Sequence, residues 1–157
     1  MQPATTAPLL DNVPAIETAL TLMRAEAAVL RRMPTLNRAE ALAVEAHVDY
    51  LEKLERVVAT HAAAGKAAAS FNRQVRAAEA VEAALDAVGD EDADGRQDEG
   101  LADARRCMED MHEGLVARRM YEVLPAQREA EEARRDANAA HAAYAAQTRK
   151  APRLFAL

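Results

Sequence analysis

At 157 residues the chain has the length of one ordinary domain, yet about a quarter of it is alanine, with no Trp, two Phe and three Tyr to build a core. The formal net charge is −6, from 20 basic and 26 acidic residues, and residues 89–100 alone hold six acids against one Arg. The remainder is therefore a mixed surface close to neutral, which speaks against direct nucleic-acid contact and offers no basic face for an anionic membrane.

One Cys excludes an intrachain disulfide framework. The opening MQPATTAP has neither a basic start nor a following apolar run, and no window has the apolar length of a membrane span. The expected location is cytoplasmic, or packaged in a particle assembled there, and not secreted by a signal peptide.

Residues 1–12, with Pro3 and Pro8 and no helical period, read as an extended arm. Asp11 or Asn12 then caps a first helix at about 14–33, in which Ile16, Leu20, Met23, Ala27 and Leu30 recur at helical spacing before Pro34 ends it. Asn37 with Glu40 three residues on forms the start of a capping box for a second helix, 38–88. Its seam runs through Leu51, Leu54, Val58 and His61, and resumes at Phe71, Val75, Ala78, Val81, Leu85 and Val88 before Gly89. After an acidic turn at 89–100, Leu101, Ala104, Met108, Met111 and Leu115 open a third helical segment, 101–150, carried past Pro125 by an alanine-rich run. Pro152 stops it and leaves an apolar tail, 152–157.

The two long segments are nearly equal, and the acidic stretch supplies the one sharp turn between them. The expected fold is all-α: a long antiparallel helical hairpin, bent near Gly65 and Pro125, packed in coiled-coil fashion with the additional N-terminal helix near its open end. Residues 13–151 form a single helical domain in this reading. Each arm would span on the order of 75 Å.

Few residues offer chemistry. Asp90, Asp92 and Asp94 followed by Gly95 match the opening of a calcium loop, in which alternate carboxylates face one hard cation, and Asp98 fits the ninth position. The twelfth position, however, is Leu101 where a bidentate Glu is required, so a solvated acidic turn is expected, with calcium as the cofactor it would otherwise take. Glu109 and His112, three apart on a helix, are half of a di-iron motif whose second half is missing. Hairpin symmetry puts His47 and His141 near one level, where two imidazoles would bind a transition metal or clasp. Cys107, beside Ala104, Met108 and Met111, reads as a small buried hydrophobe. No phosphate loop, nucleophile elbow or Cys–His arrangement is present, and no catalytic residue is assigned.

Apolar seams with surplus positions such as Leu22, Val29 and Val57 point to protein partners, namely copies of the chain and other subunits of an assembly. The interface residues expected are Ile16, Leu20, Met23 and Leu30 in the first helix, Leu51, Leu54 and Val58 in the second, Met108, Met111 and Leu115 in the third, and Leu154, Phe155 and Leu157 in the tail. The function expected is a non-enzymatic structural or scaffolding subunit, with small size and alanine/arginine-rich composition suggesting a bacterial or phage virion component. Two alternatives are a small chaperone-type protein that sequesters a partner helix and a metal-binding helical bundle.

Overall fold

Apolar groups recurring every three to four positions, in a chain with few helix breakers, produce helices and no strand among the described residues, which in the computed structural model are 13–34, 37–88 and 99–155. The N-terminal arm, the acidic stretch with Asp90, Asp92, Asp94 and Asp98, and Leu157 lie outside them.

Helix α1 spans Val13–Leu30. Pro14 sits in its first turn, where an N–H has no intrahelical acceptor to lose. The ladder tightens at its end, with Arg32 N–H donating to the Val29 carbonyl and Met33 N–H to that of Leu30, so the chain leaves the α conformation ahead of Pro34. Helix α2 spans Arg38–Val88. The Asn37 side chain accepts the Glu40 N–H at 3.0 Å, as an N-cap should.

Helix α3, Glu99–Arg118, starts two residues before the spacing predicts, with Glu99 favourably placed in the first turn. A π-helical turn, Arg119–Val123, joins it to α4, Leu124–Thr148, and Leu124 N–H reaches the carbonyl of Arg119 five residues back. Pro125 explains that turn: it has no N–H, and its ring crowds the carbonyl four residues earlier, so widening the helix lets the path continue. At Gly65, by contrast, α2 runs on without interruption. A short 3-10 turn, Pro152–Leu154, follows, and in the segment expected as an apolar tail Leu154 is buried in a core cluster with Phe155 packed against it.

The chain divides into two compact units, Met1–Ala62 with Arg128–Leu157, and Ala63–Gln127. In the first, α2 and α4 run antiparallel: Arg56 pairs with Asp136 at 2.9 Å, the Tyr50 ring lies 5.2 Å from that of His141, and Glu40 meets Arg153 beyond the end of α4. Helix α1 lies on this pair. One cluster joins Ile16, Leu20 and Ala27 of α1 to Tyr50, Leu51, Leu54 and Val57 of α2 and to Ala133, Ala137 and Ala140 of α4. A second joins Leu30, Ala43, Ala151 and Leu154. The buried stripe on α2 is wider than the seam read from sequence, because α2 touches a neighbour on either flank. Val57, read as surplus, is 1% exposed, while Val58 is half-buried and His61 exposed.

In the second unit the later part of α2 runs antiparallel to α3, with Arg118 donating to Ser70 Oγ at 3.3 Å and His112 lying 3.9 Å from Glu82. Its packing is sparse. Ala78, Met108 and Val123 are buried, whereas Val81, Val88, Met111, Val116, Met120 and Tyr121 are exposed.

A Cβ added at Gly65 meets nothing within 4 Å. Gly65→Ala should therefore raise stability to urea by about 0.5–1 kcal/mol, because Ala gives up less backbone freedom on folding. A loss of stability would mean that Gly65 takes part in a backbone distortion.

Candidate functional site

In the first unit, the residues with polar chemistry converge where α1, α2, α4 and the C-terminal turn meet. His47 and Tyr50 come from one face of α2, and His141 and Tyr144 from one face of α4, each pair three apart and so directed to the same side. Phe155 completes the group from the terminal turn. Tyr144 is the hub: its ring lies 5.3 Å from His47, 5.6 Å from Tyr50 and 6.0 Å from Phe155. The two histidines expected at one level are thus in one aromatic cluster, each against a tyrosine, His47 with Tyr144 and His141 with Tyr50.

His47 is fully buried, and its Nε2 lies 3.2 Å from the carbonyl of Met23. A carbonyl only accepts, so Nε2 carries a proton, and the buried Nδ1 has no hydrogen-bond partner among the described residues. Burial pushes the His141 imidazole below its usual range. Tyr50 and Tyr144 are pushed the other way, chiefly by burial, with Tyr144 adding to the effect at Tyr50 and the negative charge of Glu26 adding to it at Tyr144.

Beside this cluster, Ala25, Glu26, Val29, Leu30, Tyr144, Leu154 and Phe155 line a half-open hollow of about 370 Å³. Among the described residues Glu26 is the one charged residue of its lining. The terminal turn that forms one wall is held by a forked contact: Arg153 Nε and Nη2 donate to the two Glu40 carboxylate oxygens, both at 2.8 Å, and Nη2 also reaches the Pro34 carbonyl at 3.3 Å. Glu40 thereby serves twice, its N–H in the cap of α2 and its carboxylate in the clasp.

The positions expected at interfaces are distributed unevenly. Ile16, Leu20, Leu30, Leu51, Leu54, Met108 and Leu154 are each 7% exposed or less, so their apolar surface is already covered by the chain itself. Met23, Val58, Leu115 and Phe155 are half-buried. Met111 is exposed, because the buried face of α3 centres on Met108 and Met111 falls at its edge. Cys107 is exposed too, contrary to expectation, lying about 100° around the helix from Met108.

Among the described residues no three His, Cys, Asp or Glu side chains gather as a metal would require. Glu109 and His112 make no such centre, and His112 faces Glu82 instead. The calcium candidates Asp90, Asp92, Asp94 and Asp98 fall outside the described residues. No helix among the described residues is long and apolar enough to cross a membrane. Comparison with protein-family models, curated proteins and solved structures finds no match.

The tyrosine environment has a direct spectroscopic consequence. Both phenols are raised above 10.0 in the folded chain, so the stability they contribute is complete below that pH and is lost as pH rises through their folded values. In the Tyr121→Phe variant, phenolate absorbance should therefore lag behind that of the urea-unfolded chain and appear together with loss of helicity. Titration of both phenols at their ordinary value, with helicity intact, would contradict their placement against His47 and His141.

Proposed function

We propose that the chain is a non-enzymatic structural or scaffolding subunit that assembles with copies of itself and with other protein subunits. The observation that carries this reading is the apolar surface left uncovered in the second unit. Val116 is 61% exposed, Met120 54%, Tyr121 76% and Val88 70%. Large side chains in such numbers on one pair of helices are costly to leave in water.

Their placement adds to the argument. Val116 lies on the side of α3 roughly opposite Gly114 and Met111 flanks Gly114 itself, while Met120 and Tyr121 follow in the π-helical turn. A helix with apolar groups on two sides suits contact with more than one neighbour, as in a many-chain particle. The short alanine- and arginine-rich chain fits a bacterial or virion component.

The hollow at Glu26, Tyr144 and Phe155 favours a second reading, in which the chain holds an apolar side chain of a partner helix. The two readings differ in self-association. Sedimentation velocity from low to high micromolar concentration should show mass rising reversibly with concentration if the assembly reading holds. A monomer throughout that range would contradict it and leave the partner-helix reading.

A further inference from the structure

The hollow beside the aromatic cluster has a corner made by two rings. Tyr144 of α4 and Phe155 of the C-terminal turn both line it, with centroids 6.0 Å apart and planes at 81° to each other. Rings that meet nearly at right angles leave a space bordered by a π face of each, and such a face carries partial negative charge. Leu30 and Leu154, both buried, and the exposed Val29 supply apolar lining. At about 370 Å³ the hollow has the size of a small-molecule site.

The charge it offers has one sign. Glu26, on α1, brings a carboxylate to the lining, and its negative charge is felt at the Tyr144 hydroxyl. Among the described residues no ion pair engages this carboxylate. Arg153, the basic residue next to Leu154 in the wall, is committed to Glu40 and to the Pro34 carbonyl. A carboxylate beside two π faces, with no cation of the chain to balance it, suits an organic cation and repels an anion.

The corner is also held in place before a ligand arrives. Tyr144 stacks on Tyr50 at 5.6 Å, and the fully buried His47 lies 5.3 Å from Tyr144 and 6.1 Å from Phe155. The forked Arg153–Glu40 contact fixes the turn that carries Phe155. Rings already packed lose little freedom on binding.

We infer that this hollow is a binding site for a small organic cation, an alkylated ammonium group on a short apolar body, with the cation in the Tyr144–Phe155 corner beside Glu26 and the body against Leu30 and Leu154. Alkylation matters because a methylated ammonium sheds its water at lower cost than a bare one when it moves onto aromatic faces. The site lies wholly in the first unit, so it is independent of the assembly reading, which rests on the second.

Two probes of the same shape separate charge from apolar fit: choline, and neohexyl alcohol, in which carbon replaces the choline nitrogen. Each is titrated into isotope-labelled chain at constant ionic strength and followed by amide NMR shifts. Choline should move the amides of Ala25, Glu26, Val29 and Phe155 and bind about tenfold tighter than neohexyl alcohol. Glu26→Gln should weaken choline by about fivefold and leave neohexyl alcohol unchanged. Glu26 is exposed, so this variant should keep its fold, which circular dichroism checks. Phe155→Leu, which keeps apolar bulk but removes a π face, should weaken choline more than neohexyl alcohol. Equal affinity for the two probes, or choline binding untouched by Glu26→Gln, would overturn the cation site and leave the hollow to an apolar side chain of a partner helix. Unmoved amides up to about 100 mM choline would overturn it as well.

Discussion

The first unit rests on a stripe of methyl groups. Ala133 and Ala137 are fully buried and Ala140 nearly so, at spacings of 4 and 3 along α4. A side chain of one carbon buries little area, so these positions gain stability by letting the helix axis approach closely while α1 and α2 supply the bulk. Ile16, Leu20, Leu51, Leu54 and Val57 fill the space against that stripe. Each such large side chain, once buried, contributes on the order of 1.5–3 kcal/mol. A larger group anywhere on the α4 stripe would push the helix off both neighbours together.

The rest of that unit follows from the close approach. With α4 near α2, the rings of Tyr50, Tyr144 and Phe155 and the imidazoles of His47 and His141 gather with contacting centroids 5.2–6.4 Å apart, and Tyr144 is common to them. The chain end then folds over the open side, where Leu154 enters the smaller cluster and Arg153 finds the Glu40 carboxylate. Breaking such a pair by removing one member leaves a charge in a partly dry setting, so the clasp fixes where the chain end goes even if it adds little net stability. Among the described residues the second unit buries only Ala78, Met108 and Val123 and leaves Val81, Val116 and Met120 in water. One chain thus combines a unit covered by its own helices with a unit that leaves large apolar side chains exposed.

Much of this was readable from residue spacing. Ile16, Leu20, Ala27 and Leu30 announce the buried stripe of α1, and Asn37 with Glu40 marks where α2 begins. Periodicity carries less where alanine dominates, since an alanine is equally at home on a buried or an exposed face; nothing in the run from 126 to 146 singles out Ala133, Ala137 and Ala140. A helix that touches two neighbours also buries a wider stripe than one seam predicts, which is why Val57 was read as surplus. The aromatic group was divided among α2, α4 and the terminal turn, and only the antiparallel register brings it together. Cys107 lies outside the buried face for a related reason: on an exposed helix, a seam residue and the residue beside it differ by less than one third of a turn.

The most direct measurement compares two substitutions on α4, Ala137→Leu on the buried stripe and Ala139→Leu on the exposed side, by urea unfolding followed through circular dichroism. Close packing predicts that Ala137→Leu lowers stability by about 1–3 kcal/mol, while Ala139→Leu stays within about 0.5 kcal/mol of the unaltered chain. Equal effects at the two positions would contradict the account, because they would mean that α4 does not lie against α1 and α2 through its alanines.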